Sequence, residues 1–150
     1  MLDSPTNAHP LVHHAPPAVL LVEAEPMLRQ TMSKFLRRSG CRVTACADGN
    51  AGAAAITGGI IRPALIVLGA RVLDAALAQV AHHLHELAPG APVLGIADVV
   101  SHEDLKAASP LPRGLRFLAP PFDFPDVFRA VRSCLRHAGF RLPDVEILEV

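Results

Sequence analysis

Ala18–Val22 (AVLLV) and Ala64–Leu68 (ALIVL) are unbroken apolar runs of strand length. A strand with one wet face alternates apolar and polar residues. A continuous run suits a strand covered on both faces, as in a parallel sheet flanked by helices. Pro92–Ile96 (PVLGI) and Leu115–Ala119 (LRFLA) repeat the theme, and 41–46 (CRVTAC) alternates like a short strand.

Helix signals fill the intervals. Glu25-Pro26 opens a helix, Pro26 being suited to the first helical position, and Gly40 ends it. Met27, Thr31, Phe35 and Leu36 fall on one face of that helix. Asp48 caps an Ala-rich helix over about 49–57, stopped by Gly58-Gly59. A third spans about 74–88, before Pro89-Gly90. Ser101–Asp104 has capping-box spacing and starts a short helix to about 108. Asp123 and Pro125 open a last helix to about His137, with Gly139 beyond it. Five strands alternating with five helices predict an α/β fold, a parallel sheet with helices on both faces. Residues 1–17, with four prolines and three histidines, read as a flexible leader before a domain over 18–138, and 139–150 as a C-terminal tail.

Composition narrows the function classes. At 150 residues, 51% hydrophobic and 19% charged, the chain supports one packed domain. Formal net charge is zero, without the basic excess of a nucleic-acid binder, and with no Trp or Tyr there are few stacking platforms. No apolar run approaches the roughly 18 residues of a membrane span, and no signal peptide is recognisable. Cys41, Cys46 and Cys134 lack metal-type spacing and read as small apolar filler in a reducing cytoplasm. The odd offset between Cys41 and Cys46 points them to opposite faces of a straight strand.

In open parallel sheets the working crevice lies beyond the carboxyl ends of the strands. Here those ends carry Glu23–Glu25, Gly69–Arg71, Ala97–Asp98 and Ala119–Pro121. The segments VLLVEAEP with Arg29 after it, GCRVTACADG, PALIVLG, APVLGIA and RFLAPPF occur in this order at regular spacing. In them the chain, over about residues 18–137, resembles the receiver domain of bacterial response regulators, a flavodoxin-like (βα)5 fold typified by the chemotaxis regulator.

The resemblance implies a known chemistry and, residue by residue, its loss. Receivers accept phosphate on an aspartate at the end of the third strand and hold Mg²⁺ on two acidic residues after the first. A hydroxyl ends the fourth strand and a lysine the fifth, both binding the phosphoryl group. The acidic pair here falls on Glu23 and Ala24, the acceptor on Gly69, the hydroxyl on Ala97 and the lysine on Pro120. Glu25 matches a third acidic residue of the turn. Glycine cannot form an acyl phosphate, so the expectation is a degenerate pseudo-receiver that is not an enzyme and needs no cofactor or metal. Removing clustered carboxylates also relieves their repulsion, so the fold can persist as a scaffold.

Four other features bear on partners. Phe117 matches the switch aromatic of receivers, which swings inward on phosphorylation; with Ala97 in place of the hydroxyl it has nothing to sense. Arg129, Arg132 and Arg136 share one side of the last helix beside an apolar stripe of Phe128, Val131 and Leu135, a candidate face for an acidic partner or a dimer mate. His82, His83, His85 and Glu86 lack zinc-protease spacing and read as a solvent-facing, pH-sensitive patch. The tail Phe140–Val150 is acidic with an apolar stripe, open to adding a strand to a partner, folding back on the domain or staying loose.

The expected function is a cytoplasmic, phosphorylation-independent protein-interaction module in two-component or phosphorelay signalling. Its partner would be a histidine kinase, a response regulator, another signalling protein or a second copy, without nucleic acid or membrane. Two rivals stand beside it: phosphorylation on a displaced aspartate, Asp74 or Asp98, and a small-molecule sensor using a crevice left roomy by Ala24, Gly69 and Ala97.

Overall fold

The computed structural model describes residues 15–69, 77–96, 115–118 and 123–142. Five strands form one parallel sheet: β1 (Ala18–Val22), β2 (Arg42–Cys46), β3 (Leu65–Gly69), β4 (Val93–Ile96) and β5 (Leu115–Leu118). Their spatial order is β2-β1-β3-β4-β5. The described helices are α1 (Pro26–Arg38), α2 (Gly49–Thr57), α3 (Leu77–Leu87) and α4 (Phe124–His137). The expected α/β architecture is therefore present; the short helix expected over 101–108 lies outside the described residues.

The apolar pentads are central strands for the reason their sequences suggest. In β1, Val19 to Val22 are all fully buried, and so are Leu65 to Leu68 of β3. Alternate residues serve opposite faces. Val19, Leu21, Leu65, Val67, Leu94 and Ile96 pack with Met32 and Leu36 of α1 and with Val127, Phe128, Val131 and Leu135 of α4. Leu20, Val22, Ile66, Leu68 and Val93 pack with Ala55 of α2 and with Ala81 and Leu84 of α3. Each fully buried Leu or Ile adds about 1.5–3 kcal/mol of burial free energy, so the sheet centre dominates the stability. Cys41 joins the first cluster and Cys46 the second, on opposite faces as their offset requires.

The structure corrects the sequence reading in detail. On α1, Met27 is 74% exposed and Thr31 is also exposed, so the inward side is set by Met32 and Leu36, with Phe35 half-buried. Met27 and Thr31 belong to the first turns, beyond the edge of the core. β3 is shifted by one residue and ends on Gly69, bringing that glycine into the ladder opposite Ile96 of β4. Packing also extends past 138: Leu142 is buried in the first cluster and Phe140 packs against it.

Candidate functional site: the crevice at the carboxyl ends of the strands

β1 and β3 are neighbours, with Val22 paired to Leu68. One step further along, Glu23 and Gly69 come side by side. Both follow the parity of Leu21 and Val67, so both point to the α1/α4 face. Glu23 is held on its other flank by β2, where its N–H donates to the Cys46 carbonyl at 2.9 Å. At 1% exposure it is a buried carboxyl group.

That carboxyl group is spent inside the protein. The Glu25 N–H donates to Glu23 Oε2 at 2.8 Å. Its other end leans over Gly69: a Cβ built on Gly69 would stand 2.7 Å from Glu23 Cδ and closer still to Oε1. The space beside Gly69 is thus occupied, not roomy as expected for an emptied crevice.

The rest of the turn is equally self-satisfied. Glu25 is the N-cap of α1, accepting from the Met27 N–H at 3.2 Å and the Leu28 N–H at 2.6 Å, with Pro26 in the first turn. Arg29 folds back, its Nη1 donating to the Glu23 carbonyl at 2.9 Å and the Ala24 carbonyl at 3.4 Å. Ala24 is exposed and supplies no ligand group. Among the described residues no group of three or more His, Cys, Asp or Glu could hold a metal ion. Nearby Cys46 has its thiol pKa raised, chiefly by burial and further by the Asp48 carboxylate, with Arg29 pulling the other way. Asp48 accepts from the Ala51 N–H at 2.8 Å as the cap of α2.

Ala97, Pro120, Asp74 and Asp98 lie outside the described residues. Phe117 sits in β5, paired with Gly95 of β4. On α4 the expected apolar stripe is the buried side, Phe128, Val131 and Leu135 being at most 4% exposed. Arg129 and Arg136 are exposed and Arg132 is half-buried; Arg129 pairs with Asp126 of its own helix. Arg116 of β5 extends this basic face, donating to Ser133 Oγ at 3.2 Å, a neighbour that sequence spacing alone did not reveal.

Two thiols are buried elsewhere: burial pushes Cys41 up to about 11 and raises Cys134, where Arg116 opposes the shift. His83 and Glu86 are exposed as expected, but His85 is half-buried with its Nδ1 enclosed, because this turn of α3 faces the chain leading into β4. A cavity of about 410 Å³ there is lined by His85, Pro89, Pro92 and His137, at the end of the sheet opposite the crevice. No described helix is long and apolar enough to cross a membrane.

Comparison with known proteins agrees with this geometry. No family model matches the chain. It is 32% identical over 129 residues to a Mycobacterium tuberculosis protein named probable transcriptional regulatory protein TcrX, a match covering 86% of this chain and 54% of that one. The chain thus spans about half the length of the curated relative it matches. A response regulator receiver protein from Sinorhizobium medicae superposes with a TM-score of 0.68 at 22% identity, over 82% of this chain and 97% of that one. A response regulator receiver domain protein from Clostridium thermocellum gives a TM-score of 0.69 at 12% identity, over 81% and 95% of the two chains. With five parallel strands in the order β2-β1-β3-β4-β5 and an acidic turn after β1, this chain has the fold of a response regulator receiver domain.

Proposed function

We propose that the chain is a pseudo-receiver: a module of two-component signalling that binds other proteins without being phosphorylated. The observation that carries this reading is Gly69. It closes β3 at the place where receivers carry their acceptor aspartate, and it offers no carboxylate to phosphorylate. Covalent phosphoryl transfer needs a nucleophile together with its activating groups. Here Glu23 and Glu25 are engaged with the backbone of their own turn.

Without the switch, activity would follow partner concentration, since no modification shifts the population of states. The α4 face with Arg129, Arg132 and Arg136, beside the strand β5 that carries Phe117 in its sequence, is the surface proposed to meet an acidic patch on a histidine kinase, a response regulator, another signalling protein or a second copy. A cytoplasmic location accords with that role. The transcriptional role in the relative's name is not carried over, because the match leaves nearly half of that protein outside.

The test is retention of a native partner by the chain with and without a small phosphodonor plus Mg²⁺. Retention is expected to be equal in both conditions and lost in Arg132→Glu. Binding that requires the phosphodonor, and disappears in Asp74→Ala or Asp98→Ala, would contradict the reading. Binding indifferent to Arg132→Glu would move the interface elsewhere.

A further inference from the structure

Gly69 is a glycine for no backbone reason. It lies in a paired strand between β1 and β4, and the described glycines with positive φ are Gly40, Gly59 and Gly139. Glycine inside a strand weakens it, and such a residue marks a close approach by something else. The approaching group is the Glu23 side chain, whose Cδ would lie 2.7 Å from a Cβ on residue 69. Glu23 in turn is 1% exposed, and its Oε2 takes the N–H of Glu25, the residue that caps α1.

We infer that Glu23 and Gly69 are one interlocked unit: the Glu23 side chain fills the volume that a side chain at position 69 would use, and from there fixes the β1–α1 turn. The space beside Gly69 is filled from within by the chain's own carboxyl group. Any side chain at position 69, an acceptor aspartate included, would require the Glu23 carboxyl group to move from its seat. The turn that in receivers holds a metal serves here as a latch on the start of α1, linking the end of β3 to the cap of that helix through Glu23 and Glu25.

A double-mutant cycle tests the interlock with the full chain: wild type, Gly69→Ala, Glu23→Ala and the double variant, followed by thermal unfolding and the amide spectrum. Gly69→Ala is expected to lower Tm by roughly 5 °C or more in the wild-type background, since the methyl group overpacks the site. In the Glu23→Ala background the same change should shift Tm by no more than about 1 °C, the behaviour of uncoupled sites. The Glu25 amide resonance should move in Gly69→Ala as it does in Glu23→Ala. If Gly69→Ala fails to fold, a cooperative transition regained in the double variant supports the interlock. An equal loss in both backgrounds with an unmoved Glu25 amide overturns it, as does a double variant that fails to fold where Glu23→Ala alone folds. The interlock is separable from the proposed function: it can fail while the chain still refuses phosphate.

Discussion

Helices α1 and α4 share one face of the sheet, touch through Phe35 and Phe124 at 5.5 Å between ring centroids, and begin in nearly the same way. Each has an acidic N-cap and a proline in its first turn. At α4 the device is local: Asp123 accepts from the Asp126 N–H at 2.9 Å and Asp126 returns the bond to the Asp123 N–H at 3.0 Å, both at the surface. At α1 the cap is only the outer part. Behind Glu25 stands Glu23, buried and seated against a residue of another strand. Acidic residues at a crevice mouth can therefore be structural throughout. What separates the two starts is dependence: among the described residues the α4 cap answers to its own first turn, whereas α1 leans on Gly69 through Glu23.

Gly69→Asp should separate the two helix starts most strongly. It forces a side chain into the volume of Glu23 and sets two carboxyl groups together, and should cost roughly 2–4 kcal/mol in urea unfolding. No substitution at one exposed position of the α4 start should approach that. Removing the caps should bring the helices back into line: Glu25→Ala and Asp123→Ala are each expected to cost about 1 kcal/mol by the same measurement. A much larger loss for Glu25→Ala would mean that the outer cap, and not Glu23, is the main support of the turn.

The smallest effect is acidic. The backbone N–H of Asp123, with help from Arg129, holds the Asp126 carboxyl below its ordinary 3.8. In the unfolded chain Asp126 therefore takes up a proton first as pH falls. Its contribution is present above pH 4 and is lost as pH drops through the native value. Amide exchange in the first turn of α4 should quicken below pH 4, and Asp126→Asn should remove that pH dependence.

The fold was largely legible in the sequence, because AVLLV and ALIVL leave few options besides central strands and because proline, aspartate and glycine punctuate the helices between them. The side of α1 that faces inward was not legible. Met27 and Thr31 share a helical stripe with Phe35, yet the first turn overhangs the sheet and stays wet. At the crevice, residue identities alone, through the resemblance to receivers, put Gly69 at the expected acceptor position. They missed that Glu23 fills the space, although the signal was there. Val19, Leu21 and Glu23 share parity, as do Leu65, Val67 and Gly69, and adjacent strands ending at the same level bring the last member of each set together. Reading that pairing requires the strand register, which residue identities alone do not give.

In the proposed pseudo-receiver, this crevice neither accepts phosphate nor needs it. Titration of the full chain with Mg²⁺ and beryllofluoride, followed through the amide resonances of Glu23, Glu25 and Gly69, tests this reading most directly. The expected result is an unchanged spectrum at those positions. Saturable shifts there that require both Mg²⁺ and beryllofluoride, and vanish in Asp74→Ala or Asp98→Ala, would contradict it.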